Sequence, residues 1–197
     1  NQSSYTDKTS AMNVESGSAM QWMSGAESFF LRAEAKLRWD LGATSAKDLY
    51  EQGIRTSFAE RGVSGADAYI ANSESKPADF KDNSGGRRDA SAVSTITIAW
   101  DDNASFEQKL ERIITQKYLA IFPDGQEAWS EFRRTGYPKL FPINYNASSG
   151  AVSTDTQIRR LRFPTDEYSQ NAANVQAAVT LLGGQDNGNT KLWWDKK

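Results

Sequence analysis

The stretch that most constrains the fold of this chain is residues 110–140, where apolar side chains recur with the period of an α-helix around a Pro-Asp-Gly turn at 123–125. Residues three or four apart share one face of a helix, so such a run predicts helices that pack against a core. The apolar positions leading into the turn are Phe106, Leu110, Ile113, Ile114 and Ile121. Trp129 and Phe132 supply a large apolar surface to the second segment. The pattern predicts a buried helical hairpin over residues 105–135.

The ends of both predicted helices carry capping residues. Ser105 followed by Gln108 matches a capping box, in which each side chain bonds the other residue's backbone N–H. Asp124 followed by Glu127 repeats this arrangement for the second helix. Gly136 suits the left-handed conformation that often ends a helix. These signals place the boundaries of the hairpin, and they do not indicate a function.

The same hairpin resembles the C-terminal region of the SusD/RagB family, in particular its SusD-like branch. The resemblance runs through residues 110–138 and continues in Arg-Arg-Leu-Arg-Phe-Pro-Thr-Asp-Glu-Tyr-Ser-Gln-Asn at 159–171. It ends in Lys-Leu-Trp-Trp-Asp at 191–195. Several long motifs in the same order over most of the chain make the match specific.

The resemblance implies a function and a location. Members of the family are surface lipoproteins that capture nutrients, mostly glycans, and pass them to a TonB-dependent (SusC-like) outer-membrane transporter. The resemblance further implies that residues 1–197 form the C-terminal portion of such a protein, so that the missing N-terminal part would be a partner of this chain. The expected location is the cell-surface side of the outer membrane. The lipid anchor would lie at an N-terminus that is not present in this chain.

Residues 20–62 carry the second strong helical pattern. In the first helix the shared apolar face consists of Trp22, Ala26, Phe29, Phe30, Ala33 and Leu37. Ser45 with Asp48 caps the next helix, whose Tyr50 and Gly53 follow the spacing of a tetratricopeptide repeat. The pattern predicts an antiparallel helix pair of this type, which the resemblance also implies as the scaffold. If the chain is a portion of a longer protein, we expect the apolar face of this pair to be exposed and the isolated chain to associate.

The segments between the helices are mostly irregular. Residues 73–104 form a long loop with few apolar side chains, and loops of this length are usually functional or mobile. Inside it, residues 94–100 alternate between polar and apolar side chains, which predicts a short strand. The expected fold class is mainly α, with tetratricopeptide-like antiparallel helix pairs, long irregular loops and at most a few short strands.

Residues 136–197 are predicted to form an irregular C-terminal segment with one helix. A brief strand is expected at 157–163, and Asn171 is expected to cap a final helix that ends before two glycines. The adjacent Trp193 and Trp194 should pack against the helical scaffold, because a pair of exposed tryptophans would be a costly apolar patch.

Composition excludes several classes of chemistry. The chain has no cysteine and no histidine, which removes disulfides, zinc sites built from these residues, thiol nucleophiles and histidine-based acid/base catalysis. The formal charge of −2 gives no basic surface for nucleic acid, so nucleic acid is not expected as a partner. No cofactor or metal is predicted. A calcium site in the turn at 183–189 is the less favoured interpretation, because the downstream glutamate of an EF-hand loop is missing.

Carboxylates are the remaining acid/base candidates, and arginine pairs are candidates for binding anions. The acidic positions weighed are Asp101, Asp102, Asp166, Glu167 and Asp186. A glycoside hydrolase needs two carboxyl groups facing each other, whereas neighbouring residues on a strand point to opposite sides. The arginine pairs at 133–134 and 159–160 are expected to bridge helix ends and loop carbonyls, since structural ion pairs are commoner than ligand forks.

The candidate binding residues are aromatic rings on loops. The candidates for glycan binding are Tyr5, Phe80, Trp100 and Tyr145. The resulting prediction is non-catalytic binding of a glycan or other nutrient and its delivery to the transporter, so the chain is not expected to be an enzyme. Two alternatives remain open, a helical-repeat module that binds a protein and a carboxylate-based glycoside hydrolase.

Overall fold

The computed structural model describes residues 16–17, 21–83 and 85–196. Seven α-helices form there: α1 Gly25–Trp39, α2 Ala46–Glu60, α3 Ala66–Ile70, α4 Phe106–Ala120, α5 Gly125–Thr135, α6 Thr165–Gln170 and α7 Ala172–Leu182. Strand structure in this part of the chain is limited to two isolated bridges, Phe80–Ala90 and Ser153–Gln157. The predicted mainly α fold class is therefore confirmed. Of the helices described, none has the length and apolar character to cross a membrane.

Helices α1 and α2 form an antiparallel pair. The Ser24 hydroxyl and the Gly25 backbone N–H, at the start of α1, donate to the carboxylate of Glu60 at the end of α2, at 2.7 and 2.6 Å. Along the pair, the ring of Phe30 lies against Gly53, where a Cβ atom would come within 2.7 Å of the ring. The small residue at this position is therefore what allows the two helices to approach, as the repeat-like spacing predicts.

Helix α4 is the centre of the core and packs against both α1 and α2. Its Leu110, Ile113 and Ile114 are fully buried, in a cluster with side chains from α1 and α2. The Ser105–Gln108 capping box is present with both of its hydrogen bonds. Phe106 departs from the expected pattern, because it lies at the exposed edge of the helix rather than in the core.

Helix α5 completes the hairpin. The Asp124 side chain accepts a hydrogen bond from the Glu127 backbone N–H at 3.0 Å, and Gly136 ends the helix with a φ of 77°. Phe132 is buried, and the indole N–H of Trp129 donates to the carbonyl of Ile158 at 2.7 Å. Helix α5 thus joins the core to the C-terminal segment.

The strand predicted at 94–100 does not form. Its backbone groups bond instead to helical side chains and to the end of α3. The Tyr50 hydroxyl donates to the Ile98 carbonyl at 2.7 Å, and the Arg112 Nε donates to the Thr97 carbonyl at 3.2 Å. The segment is irregular, with a bend at 98–99, and most of its residues are partly buried. The groups outside the segment that bond its backbone belong to helices and to Asn72, and none belongs to another strand.

The prediction of a strand at 157–163 is also wrong. Gln157 has a φ of 57°, which interrupts an extended run at its first residue. The backbone N–H of Arg159 donates to the carbonyl of Gly188 at 2.7 Å, so the segment is held by a turn rather than by a neighbouring strand. Asn171 does precede a helix that ends at Gly183, although its side chain makes no capping hydrogen bond.

Two tryptophan predictions fail. Trp22 lies before the first residue of α1 and is 92% exposed, so it does not belong to the apolar face of that helix. Trp193 is 82% exposed, whereas Trp194 is partly buried beneath the guanidinium of Arg133. The apolar face expected to be exposed on the α1–α2 pair is instead largely covered by α4.

Candidate functional site

The arginine pairs cross-link the structure, as predicted. Arg133 donates to the carbonyl of Arg159 at 3.3 Å, and Arg159 donates to the carbonyl of Arg133 at 3.0 Å. Arg159 also forms a buried ion pair with Asp195. The Arg133 guanidinium lies 3.6 Å from the ring centre of Trp129, and burial lowers its pKa. These contacts use both side chains to hold α5 against the C-terminal segment, and the buried Nε of Arg133 has no hydrogen-bond partner among the described residues.

Glu34 is the centre of a second network. Glu34 pairs with Arg38 of its own helix, and it is buried and also accepts two hydrogen bonds from Arg134, at 2.7 and 2.6 Å. Burial by itself raises the pKa of Glu34, but the hydrogen bonds from Arg134 and Arg38 outweigh it and hold that pKa below its usual range. Arg134 also pairs with Glu131 of its own helix, at 2.7 Å.

Lys117 is a buried cation that sequence analysis missed. Its ammonium lies 3.1 Å from Glu27, 2.7 Å from Glu127 and 3.3 Å from Glu131, and so connects α1, α4 and α5. Burial alone lowers the pKa of Lys117, but these carboxylates outweigh it and raise that pKa. Lys117 occupies the apolar face of α4, three residues after Ile114, and that position is the sequence signal for a buried, paired lysine.

The carboxylates considered for hydrolysis accept hydrogen bonds from structural donors. Asp101 accepts from the Asn103 backbone N–H at 2.9 Å, and Asp102 accepts from the Trp100 indole at 3.0 Å. Glu167 accepts from the Asn171 amide at 2.9 Å. Within the described residues, no group of three or more acidic, histidine or cysteine side chains is arranged to hold a metal ion.

Asp186 organises the turn for which calcium was considered. Its carboxylate accepts hydrogen bonds from Arg160, from the Phe163 backbone N–H at 3.2 Å and from the Tyr168 hydroxyl at 2.6 Å. Burial raises the pKa of Asp186, but these donors outweigh it and lower that pKa. The carboxylate is thus committed to three protein donors.

The four predicted ring residues have different environments. Tyr5 lies outside the described residues. Trp100 packs on Tyr50 at the edge of the helical core, with ring centres 5.3 Å apart. Phe80 and Tyr145 are exposed, on the loops at 79–92 and 141–146.

These two loops contact each other and form what we call the two-loop cluster, consisting of Phe80, Arg87, Phe141 and Tyr145. The rings of Phe80 and Phe141 lie 5.9 Å apart, and the guanidinium of Arg87 lies 4.0 Å from the ring centre of Tyr145. The side-chain amide of Asn144 donates to the carbonyl of Asp89, which ties one loop to the other. The structure therefore brings two of the four candidates onto one pair of joined loops.

Acidic side chains shape the first of these loops. Asp79 accepts from the Ala92 backbone N–H at 2.9 Å, and Asp89 accepts from the Asp82 backbone N–H at 2.7 Å. This backbone hydrogen bond from Asp82, together with Lys81, keeps the pKa of Asp89 low. The loop is therefore held together by Asp79 and Asp89, and not by its exposed ring, Phe80.

The chemistry available at the two-loop cluster is that of binding. Phe80 and Tyr145 offer apolar ring faces, and Arg87 offers hydrogen-bond donors beside one of them. Flat apolar faces next to a few polar groups suit a molecule with both apolar and hydroxyl surfaces. The larger of the two described cavities, about 510 Å³, lies elsewhere, between α7 and the C-terminal residues.

Comparison with known proteins gives a consistent family match. A family model described as SusD-like, SusD and RagB outer membrane lipoprotein, matches residues 1–195. No curated protein sequence is similar enough to count as a match.

Solved structures give the same result. A chitin-binding SusD homolog from Flavobacterium johnsoniae is 50% identical with a TM-score of 0.78, covering 86% of this chain and 35% of that one. A SusD homolog from Bacteroides uniformis is 45% identical with a TM-score of 0.86, covering 94% and 39%. A SusD-like protein from Bacteroides thetaiotaomicron is 46% identical with a TM-score of 0.79, covering 87% and 36%. The chain thus spans little more than a third of the length of these structures.

Proposed function

Because the chain belongs to the SusD-like family of SusD and RagB outer membrane lipoproteins, we propose that it binds a glycan or other nutrient at the bacterial cell surface without transforming it. Its 50% identity to a chitin-binding homolog supports a glycan as the ligand. In this proposal the bound glycan is delivered to a TonB-dependent transporter of the outer membrane. The chain acts as the C-terminal portion of a lipoprotein anchored through its N-terminus.

The observation that carries the proposal for this part of the protein is the two-loop cluster. The side chains of Phe80 and Tyr145 are 44% and 45% exposed to solvent. Both rings rest against a neighbour, Phe141 and Arg87 respectively, so they are held at the surface. Rings held in place lose little conformational entropy on binding, and their faces can stack on the C–H faces of a sugar.

The state of the carboxylates supports binding rather than hydrolysis. A glycoside hydrolase keeps one carboxyl protonated, through a raised pKa, opposite an ionised one. The pKa of Asp186 is instead lowered, and its oxygens already accept hydrogen bonds from Arg160, Phe163 and Tyr168. The carboxylates of Asp101, Asp102 and Glu167 also accept hydrogen bonds from nearby protein donors. The arrangement favours a site that holds its ligand without cleaving it.

A glycan array followed by titration tests this site. The array identifies a ligand for the chain, with N-acetylglucosamine oligomers as the first candidates. Calorimetry then compares the chain with Tyr145→Ala and Phe80→Ala. We expect each change to weaken binding about tenfold, because losing one ring contact costs on the order of 1.4 kcal/mol.

Tyr118→Ala is the matched control for the titration, because Tyr118 is a partly exposed tyrosine on the regular helix α4. It should bind as the parent chain does. Equal affinities for the Tyr145→Ala and Tyr118→Ala variants would place the ligand away from the two-loop cluster and refute this part of the proposal.

A further inference from the structure

Helix α7 is apolar around most of its circumference and yet lies at the surface. Its sequence, Ala-Ala-Asn-Val-Gln-Ala-Ala-Val-Thr-Leu-Leu, contains no charged residue. Val175 is its one buried residue, and Leu181 is 90% exposed. A helix that is apolar on every side is ordinarily buried within a larger protein. The exposure of α7 within this chain therefore requires an explanation.

The C-terminal segment adjoins α7 and extends the apolar surface. Between the two lies the cavity of about 510 Å³. Its apolar lining consists of Phe163, Ala178, Leu181, Leu182, Leu192 and Trp193. We call this cavity and the exposed side of α7 the α7 face. Lys191, Asp195 and Lys196 complete the lining, and the Asp195 carboxylate is already paired with Arg159. A mostly apolar lining of this kind suits the side chains of another polypeptide.

The exposure of Trp193 does not result from a loose end. Its neighbour Trp194 lies under the Arg133 guanidinium, and Asp195 forms a buried ion pair with Arg159. The Asp195 backbone N–H also donates to the carbonyl of Leu192, at 3.0 Å. These contacts fix the backbone on both sides of Trp193, so its ring is presented outward by an anchored turn.

We infer that the α7 face is an interface covered by a part of the same protein that lies outside this chain. The inference rests on the proposed placement of the chain as one portion of a longer lipoprotein. The solved homologs support it, because this chain matches them over 35–39% of their length, which leaves more than half of each without a counterpart here. A preformed groove with a mostly apolar lining suits a permanent contact of this kind, since obligate interfaces resemble a protein core.

The lack of cysteine in the chain gives a direct test. Leu181→Cys and Trp193→Cys each introduce a single thiol on the α7 face, and Val63→Cys introduces one at an exposed residue after α2. The rate of maleimide labelling is measured in the chain alone. It is measured again after the chain replaces the matching third of a cysteine-free form of the Flavobacterium johnsoniae homolog. Circular dichroism verifies that each variant keeps its helix content.

The expected result is that the thiols at 181 and 193 react at least about tenfold more slowly in the longer polypeptide, because a covered thiol reacts only through local opening. The thiol at 63 should react at a similar rate in both. Equal rates at 181 and 193 in the two polypeptides would overturn the inference. The inference would also be overturned if labelling of these thiols in the chain alone became slower at higher protein concentration, which would identify a second copy as the occupant. Slower labelling on addition of a glycan would overturn it as well. None of these outcomes depends on whether the two-loop cluster binds a sugar, so failure of the proposed function remains separately detectable.

Discussion

Gly53 sets how closely the first two helices approach. The ring of Phe30 occupies the space that a side chain at position 53 would need, and ring atoms would lie 2.7–3.0 Å from an added Cβ. The same ring makes an edge contact with Tyr50, with centres 6.3 Å apart. Because Phe30 is buried and held on both sides, it has little room to move away.

We therefore expect Gly53→Ala to destabilise the chain by about 1–2 kcal/mol. Overpacking of a core costs about 1–3 kcal/mol, and the better helix propensity of alanine offsets about 0.5–1 kcal/mol of that. The free energy of unfolding is measured by urea titration. Gly125→Ala at the start of α5 is the matched control, since an added Cβ there meets nothing within 4 Å. Equal stability of both variants would show that Phe30 yields easily.

Glu34 makes stability depend on pH in a known direction. Its pKa in the folded chain is lowered from an ordinary value of 4.5, so the ionised form is favoured by folding. A lowered pKa contributes stability that is fully present above the unfolded pKa and is lost as the pH falls through the folded pKa. The contribution should therefore be constant near neutral pH and disappear in acid.

Glu34→Gln tests this sign. At pH 7 the variant should be less stable than the parent by about 1–2 kcal/mol, at the lower end for charged hydrogen bonds because Arg134 is partly exposed. The difference should shrink as the pH falls below 4.5, the ordinary value for glutamate. Urea titrations at several pH values measure it. A difference that stays constant down to the acid transition would mean that the charge of Glu34 contributes nothing.

At the level of elements, the longer helices were predictable, whereas the short helix α6 and the conformation of the segments at 94–100 and 157–163 were not. Apolar periodicity and capping residues predicted α2, α4, α5 and α7. Each of these signals can be recognised because it involves residues that are close together in the sequence. The alternation at 94–100 is present in the sequence, but a strand also needs a neighbouring strand, and no local pattern supplies one. The backbone partners of this segment are Tyr50 and Arg112, which lie on separate helices, and Asn72. The pairing of buried Lys117 could not be predicted for the same reason, because the carboxylates that contact it lie on two other helices.

Removing the Tyr50 hydroxyl, one of these partners, should increase the mobility of residues 94–100 without affecting the helices. In Tyr50→Phe the carbonyl of Ile98 loses its donor, which costs about 1 kcal/mol for one hydrogen bond. We expect faster amide hydrogen exchange at 94–100 and unchanged exchange in α4, measured by mass spectrometry. Tyr118→Phe, at a partly exposed residue of α4, should leave exchange unaltered. Uniformly faster exchange throughout the core would instead show that the hydroxyl stabilises the whole fold.

On the scale of the whole molecule, a helical core carries irregular segments that form the candidate binding surface. Phe80 and Tyr145 were recognisable in the sequence because they are large rings in polar loops. Their placement on joined loops was not, since the Asn144–Asp89 contact links residues 55 apart without a local signature. Trp193 was assigned to packing, and its observed exposure is one of the observations behind the interface proposed on the α7 face.

Binding without turnover is the central claim, and one experiment measures both parts of it. The chain is titrated with the glycan selected by the array, and the ligand recovered at the end is analysed by mass spectrometry after prolonged incubation. The account predicts saturable binding and a ligand of unchanged length. A shortened ligand, with cleavage lost on replacing a single aspartate or glutamate, or the absence of binding to any glycan, would contradict it.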